Sequence, residues 1–321
     1  MPRFITFTPN PALDIATVVD RLEDAHKLRC DVPQVHPGGG GINVARVLHR
    51  LGADVLALYT AGGSTGARVH ALLQAEGVPD QALAVAADTR ESFTVHERSS
   101  GREYRFVLPG PSLSAAEWQA CLQQLTQFDP PPVWVISSGS LPPGVDDDGH
   151  AQVARLAQRM KARMVVDSSG PALRAALQAG VWLCKPSLRE LAGLTGAELN
   201  SLTQQKQAAH TLIAQGQAHM VALSLGAAGA MLVTAQESLL AEALPVTVAS
   251  SVGAGDSFLG GLVWALDTGS TLHEALATEL QLPQVRVEEQ GVELDRAARL
   301  EQHLQLCDTV FEEIGRASCR E

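Results

Sequence analysis

The chain has 321 residues, 45% hydrophobic but only 4% aromatic, enough for one large α/β core built from Leu, Val and Ala. Its 35 acidic and 24 basic residues leave a formal net charge of −11, which argues against non-specific nucleic-acid binding and requires local cations for any anionic substrate. The five cysteines lack CxxC spacing and the ten histidines lack HExxH pairing, so reduced thiols in a cytoplasmic protein are expected, and no zinc site.

No basic segment followed by an apolar stretch opens the chain, so no signal peptide is expected; no apolar run approaches the roughly 20 residues a membrane helix needs. Phe4–Thr8 reads as a short strand ended by Pro9, Asn10 and Pro11. The glycines at 38–41 run into a helix ending near Gly52. A strand over 55–59 follows, then a loop at Ala61, Gly62 and Gly63, then a helix over 68–76 stopped by Gly77. Segments 91–98 and 102–108 alternate around Ser99, Ser100 and Gly101, which predicts a hairpin. From about residue 114, helical stretches separate short apolar strands at 133–137, 164–167, 181–185 and 221–225, with further strands at 231–234 and 246–249. This rhythm predicts an α/β fold: a mostly parallel sheet with helices on both faces. The alternating segments around 15–35 and 91–108 do not fit it and predict a small separate sheet covering the site.

Two glycine-rich turns carry the chemistry. Ser251 and Val252 lead into Gly253, Ala254, Gly255 and Asp256, and then into an apolar helical pattern. Small residues let a ligand approach the backbone, and the first N–H groups of the helix are unpaired, so this turn is expected to bind an anion. Asp256, in the first helical turn, can then take a proton from a hydroxyl while the N–H groups stabilise a phosphoryl group. The blander reading is an Asp N-cap. The second turn holds Gly38, Gly39, Gly40 and Gly41 before Ile42 and Asn43. Asn43 offers a donor and an acceptor, which suits a sugar hydroxyl; the alternative is a flexible loop. A dinucleotide fingerprint is disfavoured, because no buried strand precedes the turn and Asp54 is too close to serve as the ribose acid.

With both motifs in view, the chain resembles the PfkB (ribokinase-like) carbohydrate kinases. The likeness rests on the stretch from Gly38 to Asn43 and on Gly253-Ala254-Gly255-Asp256, and runs from about Phe4 to about Ala277. Thr8-Pro9-Asn10-Pro11-Ala12-Leu13-Asp14, Lys27-Leu28-Arg29-Cys30, Ser140-Leu141-Pro142-Pro143-Gly144 and Asp167-Ser168-Ser169-Gly170 make it most like members that phosphorylate fructose 6-phosphate. The resemblance implies a ribokinase-like domain over 1–277, with β-sheet lid segments near 12–36 and 88–110 that pair two copies into a homodimer. It implies ATP as co-substrate with Mg2+, and a monovalent cation such as K+. Asp256 would be the base, and Gly253, Ala254 and Gly255 the anion hole. Asp14, Gly39, Gly40, Gly41 and Asn43 would hold the sugar and Arg90 its 6-phosphate. Arg105, flanking the same hairpin, is expected to support Arg90, with an exposed hairpin arginine as the alternative, and Ser138, at a strand's carboxyl end, is expected to join the sugar site. Lys27 and Lys185 would reach the nucleotide, with Ser187 and the loop from Ser224 through Gly226 to Gly229. Glu190 would help hold Mg2+ through water. Ser187 departs from the family's Asn at that position, which shortens its reach.

After Ala277 the likeness stops. The tail over 278–321 predicts a helix over 295–313 and an unrelated end, the product of a shifted reading frame or a cloning remnant. A genuine tail of this kind would leave the adenine pocket without one wall. The expected reaction is ATP-dependent conversion of fructose 6-phosphate to fructose 1,6-bisphosphate. Kinases for fructose 1-phosphate and tagatose 6-phosphate share the scaffold, and a catalytically impaired binding protein is the rival from another class.

Overall fold

Parallel strands need long crossovers, and this chain supplies them with helices. The computed structural model describes residues 1–24, 26–242 and 253–280. In order, the elements of the first half are β1 (Phe4–Thr8), β2 (Ala12–Val19), β3 (Gln34–Gly38), α1 (Gly40–Arg50), β4 (Val55–Ala61), α2 (Gly63–Ala75), β5 (Asp80–Ala84), β6 (Arg90–Glu97) and β7 (Arg102–Val107). The second half runs α3 (Ala115–Leu125), β8 (Trp134–Ser138), α4 (Gly149–Arg159), β9 (Arg163–Asp167), α5 (Gly170–Ala179), β10 (Val181–Cys184), α6 (Leu188–Thr195), α7 (Leu202–Ala214), β11 (Ala218–Ser224), β12 (Ala230–Val233), β13 (Ser238–Ala241), α8 (Ala254–Asp267) and α9 (Leu272–Leu280).

Among the described residues nine strands form one sheet in the order β13-β12-β11-β10-β9-β8-β1-β4-β5. Pairing is parallel from β11 to β5, and antiparallel at β11–β12 and β12–β13. Strand periodicity sends alternate residues to opposite faces. Ile5, Phe7 and Val135 pack with Trp118, Val153, Leu173 and Leu212 from α3, α4, α5 and α7. Phe4, Trp134 and Ile136 pack with Ile42, Val69, Leu259 and Leu276 from α1, α2, α8 and α9. Both faces are covered, which is why the strands read as continuous apolar runs. Burying each such side chain contributes about 1.5–3 kcal/mol.

The second sheet has the order β3-β2-β6-β7. It gathers the two segments that broke the βα rhythm. Glu97 pins its hairpin tip: the carboxylate accepts from Leu22 N at 2.9 Å, from Ser99 Oγ at 3.1 Å and from Ser100 Oγ. No helix among the described residues is long and apolar enough to cross a membrane.

Some elements differ from the sequence reading. Helix α2 starts at Gly63 instead of residue 68, because tertiary contacts stand in for weak local propensity. Thr89 Oγ1 accepts from Gly62 N at 3.1 Å, and Thr89 N donates back to Gly62 O. The edge strands β5 and β13 carry little signal of their own. A strand, β3, does precede the first glycine turn; it belongs to the small sheet, so the dinucleotide crossover is still not built. The strand expected at 246–249, the helix expected at 295–313 and the tail from residue 281 lie outside the described residues.

Candidate functional site

Two helices converge on one point. Asn43 in α1 donates from Nδ2 to Asp256 Oδ2 in α8 at 2.8 Å. One turn further along each helix, a Cβ on Gly260 would lie 2.9 Å from Val47 Cγ1. The contacts at i and i+4 match, so α1 and α8 run side by side in the same direction, in contact at Gly260. Both N-termini therefore present their unpaired N–H groups to the same space. Gly39 and Gly253 are the N-caps, and among the described residues neither end has a side-chain cap hydrogen bond. Gly253 sits at φ 82°, left-handed backbone that favours glycine. Asp256 is the third helical residue, and its carboxylate accepts from Asn43 across the site. The N-cap reading of Asp256 is therefore rejected.

The carboxyl edge of the large sheet forms the floor, where open α/β folds gather ligands. Ser138 ends β8, Asp167 ends β9, Lys185 follows β10 and Ser224 ends β11. A Cβ on Gly40 would lie 2.1 Å from Ser138 Oγ and 3.3 Å from Asp256 Oδ1. Gly40 is thus the point at which the serine hydroxyl and the carboxylate meet. Asn43 occupies Oδ2, leaving Oδ1 on the Gly40 side. Gly41 packs on Thr8, at the end of β1. Burial raises the Asp256 pKa; the Asn43 hydrogen bond, Lys185 and Arg105 oppose the rise.

Asp14 lies within β2, paired with His36 and Ser92. Its carboxylate packs against Gly38. Burial pushes it up to about 6, against the pull of Arg105, Arg90 and Arg46. Arg90 donates to the carbonyls of Pro11, Leu108 and Asn10 at 3.3, 3.0 and 3.0 Å. A guanidinium has five N–H donors, so two remain for a ligand. Arg105 on β7 is exposed, yet its charge acts on both Asp14 and Asp256.

Further along this floor, Lys185 Nζ lies 3.2 Å from Asp167 Oδ1 and 3.3 Å from the position of a Cβ on Gly255. Burial raises the Asp167 carboxyl to about 7; Lys185 opposes this, while Asp256 and Glu190 add to it. Ser187 caps α6: Glu190 N donates to Ser187 Oγ at 3.3 Å and Ser187 N to Glu190 Oε2 at 2.7 Å. A groove of about 610 Å³ opens beside them, lined by Ser169, Gly170, Arg174, Ser187, Arg189 and Glu190 among others. Ser224 N donates to Pro186 O at 3.0 Å, and the turn from Gly226 to Gly229 closes with Leu225 N on Gly229 O at 2.9 Å. Lys27 is exposed on the loop between β2 and β3.

The sequence reading missed Asp167 as a site residue. The signal that picked out Ser138, a polar residue at the carboxyl end of a core strand, applied to it equally. It also passed over Asn10, whose Nδ2 donates to Ser140 Oγ at 3.0 Å and braces the chain before β2.

The family model described as pfkB family carbohydrate kinase matches residues 10–294. ATP-dependent 6-phosphofructokinase isozyme 2 of Mycobacterium tuberculosis (strain H37Rv) is 46% identical over 271 residues, covering 84% of this chain and 80% of that protein. Its namesake from Escherichia coli (strain K12) is 39% identical over 308 residues, 96% of each. A 1-phosphofructokinase of Xanthomonas campestris pv. campestris is 35% identical over 277 residues, covering 85% of this chain and 87% of that protein. The crystal structure of Escherichia coli phosphofructokinase-2 with fructose-6-phosphate superposes with a TM-score of 0.82 at 38% identity, covering 87% of this chain and 92% of that one. Other structures of that enzyme hold potassium or represent a tetrameric inhibited form.

Proposed function

The chain belongs to the PfkB family of carbohydrate kinases, and from that premise we propose that it transfers the γ-phosphoryl group of ATP to fructose 6-phosphate, forming fructose 1,6-bisphosphate. The observation that carries this reading is the meeting of Asp256 Oδ1, Ser138 Oγ and two uncapped helix N-termini over Gly40. In the proposed mechanism Oδ1 takes the proton of the sugar's 1-hydroxyl. Asn43 holds the other oxygen, and burial makes the carboxylate a stronger base than a solvated one. The N–H groups around Gly253, Ala254 and Gly255, with Lys185 beside them, balance the charge on the phosphoryl group in flight. Asp14, Gly39, Gly41 and Asn43 orient the sugar; Arg90 and Arg105 supply the cations that a 6-phosphate needs in a chain of net charge −11. The small sheet excludes water, which otherwise competes as acceptor.

Kinases of this family use ATP with a divalent metal ion. Among the described residues no three His, Cys, Asp or Glu cluster tightly enough to hold a metal by themselves. Glu190 lies close enough to Asp167 to raise its carboxyl further, which fits a pair that holds an ion keeping most of its waters, Mg2+ above all. When bound it would neutralise charge on the ATP phosphates, with Asp167 and Glu190 holding its waters. For K+ we assign no residues, since the segment expected to hold it lies outside those described. The edge strand β7 exposes Phe106 and Val107, Leu108 just after it is exposed, and the loop between β2 and β3 exposes Leu28 and Val32. This apolar rim supports a homodimer through the small sheets. A cytoplasmic location completes the proposal, in keeping with free thiols at Cys30, Cys121 and Cys184.

The test is an ADP-coupled assay on fructose 6-phosphate, fructose 1-phosphate and tagatose 6-phosphate. The highest kcat/KM is expected on the first; a preference for fructose 1-phosphate would transfer the chain to the 1-phosphofructokinases. Ligand-induced thermal shifts without turnover of any of the three would make it a binding protein.

A further inference from the structure

Behind Ser138 lies a polar cluster that the reaction does not use. His150, in the first turn of α4, is fully buried. Its Nδ1 is 2.8 Å from Ser137 Oγ and its Nε2 is 3.1 Å from the Gly139 carbonyl oxygen. A carbonyl only accepts, so Nε2 carries the proton, and Nδ1 accepts from the Ser137 hydroxyl. Burial pushes the imidazole down to about 4, which keeps the ring in the neutral form this pattern requires. Ser168 Oγ gives the same carbonyl a second hydrogen bond at 3.0 Å, and Gly139 N donates to Asp167 O at 2.9 Å. Gly139 itself sits at φ 107°, where only glycine is unstrained, and it turns the chain away directly after Ser138.

The residues on both sides of Ser138 are therefore gripped by one imidazole. We propose that His150 is a positioning residue: it clamps Ser137 and Gly139 so that the intervening Ser138 hydroxyl faces Gly40 and the bound sugar. This rests on the reading of Ser138 as a sugar contact. A histidine that merely fills the core would affect stability and leave substrate discrimination alone.

Two isosteric halves of the ring separate the roles. In His150→Gln the amide reaches the ε position and can still donate to Gly139. In His150→Asn it reaches only the δ position and Ser137. Losing the Gly139 bond in the Asn variant is expected to raise KM for fructose 6-phosphate about 10-fold, with KM for ATP within about twofold, the scale of one misplaced hydrogen bond. The Gln variant is expected to stay within about threefold of the parent on both, and the two melting temperatures to agree within about 2 °C. Equal sugar KM values in the two variants, or a matching rise in KM for ATP, would overturn the positioning role. If neither variant folds, Ser168→Ala removes the second donor from the same carbonyl. A rise of about threefold in sugar KM alone then supports the clamp, and an unchanged KM overturns it. The unsubstituted chain serves as reference. If it phosphorylates a different sugar phosphate, the same split is read with that substrate; if it phosphorylates none, the kinase reading fails first and the clamp falls with it.

Discussion

Replacing Gly40 with Ala sets two physical effects against each other. In an unobstructed helix the added methyl stabilises by about 0.5–1 kcal/mol, because glycine loses more chain entropy on folding. Gly40 opens α1 without a positive φ, so sterics alone decide. The new Cβ would lie 2.1 Å from Ser138 Oγ, 3.1 Å from Ser138 Cβ and 3.3 Å from Asp256 Oδ1. Turning the hydroxyl away relieves only the first contact; the others push the end of β8 and the carboxylate outward. Overpacking of this kind costs about 1–3 kcal/mol, which cancels or exceeds the helix gain. A displacement of about 1 Å among reacting groups costs about 10²-fold in kcat/KM, so a shift of a few tenths of an ångström together with a hydroxyl turned off the site is expected to cost about 10-fold. The assay couples ADP release to NADH oxidation, with calorimetric melts run alongside. Gly193→Ala in α6 is the stability reference, since nothing lies within 4 Å of its added Cβ. It is expected to gain about 0.5–1 kcal/mol while Gly40→Ala gains none. A Gly40→Ala protein within about threefold of the parent's kcat/KM would refute the close approach on which the site rests.

Asp256→Asn keeps the shape and removes the base; kcat is expected to fall about 10²–10⁴-fold, and a fall under about tenfold would shift the base elsewhere. Burial raises Asp14 from 3.8 to about 6, so between those values the folded chain binds a proton that the unfolded chain has released. Stability from this group is then present at low pH, falls as pH rises from about 4 to about 6, and stays lower above. Asp14→Asn should flatten that part of the melting curve, raise Tm near neutrality and raise KM for the sugar phosphate about 10-fold; an unaltered melt profile across the window would count against it. Gly260→Val would drive α8 off Val47 and part Asp256 from Asn43, lowering both Tm and kcat; an unchanged kcat would show that α8 is not positioned by that crossing. Phe106→Asp places a charge on the exposed edge of β7 and is expected to give monomers by analytical ultracentrifugation, whereas an intact dimer would exclude this rim as the interface.

What could be read from the sequence was local. Glycine entering a helix announces N–H groups without a side-chain cap, so both glycine turns and the place of Asp256 in the first turn of α8 were legible. Buried parallel strands separated by helices announced the large sheet, and the two segments that broke the rhythm announced the small one. What the sequence left open depends on partners distant in the chain. Asn43 and Asp256 are 213 residues apart and meet only because α1 and α8 pack side by side at Gly260. Asp167 is an ordinary strand-end acid until Lys185, just past the end of the next strand, pairs with it and Glu190 crowds it. His150 resembles any core histidine until Ser137 and Gly139 take its two nitrogens. A residue type fixes which hydrogen bonds and charges are available; packing decides which are satisfied, which are buried, and therefore which are left to act on a substrate.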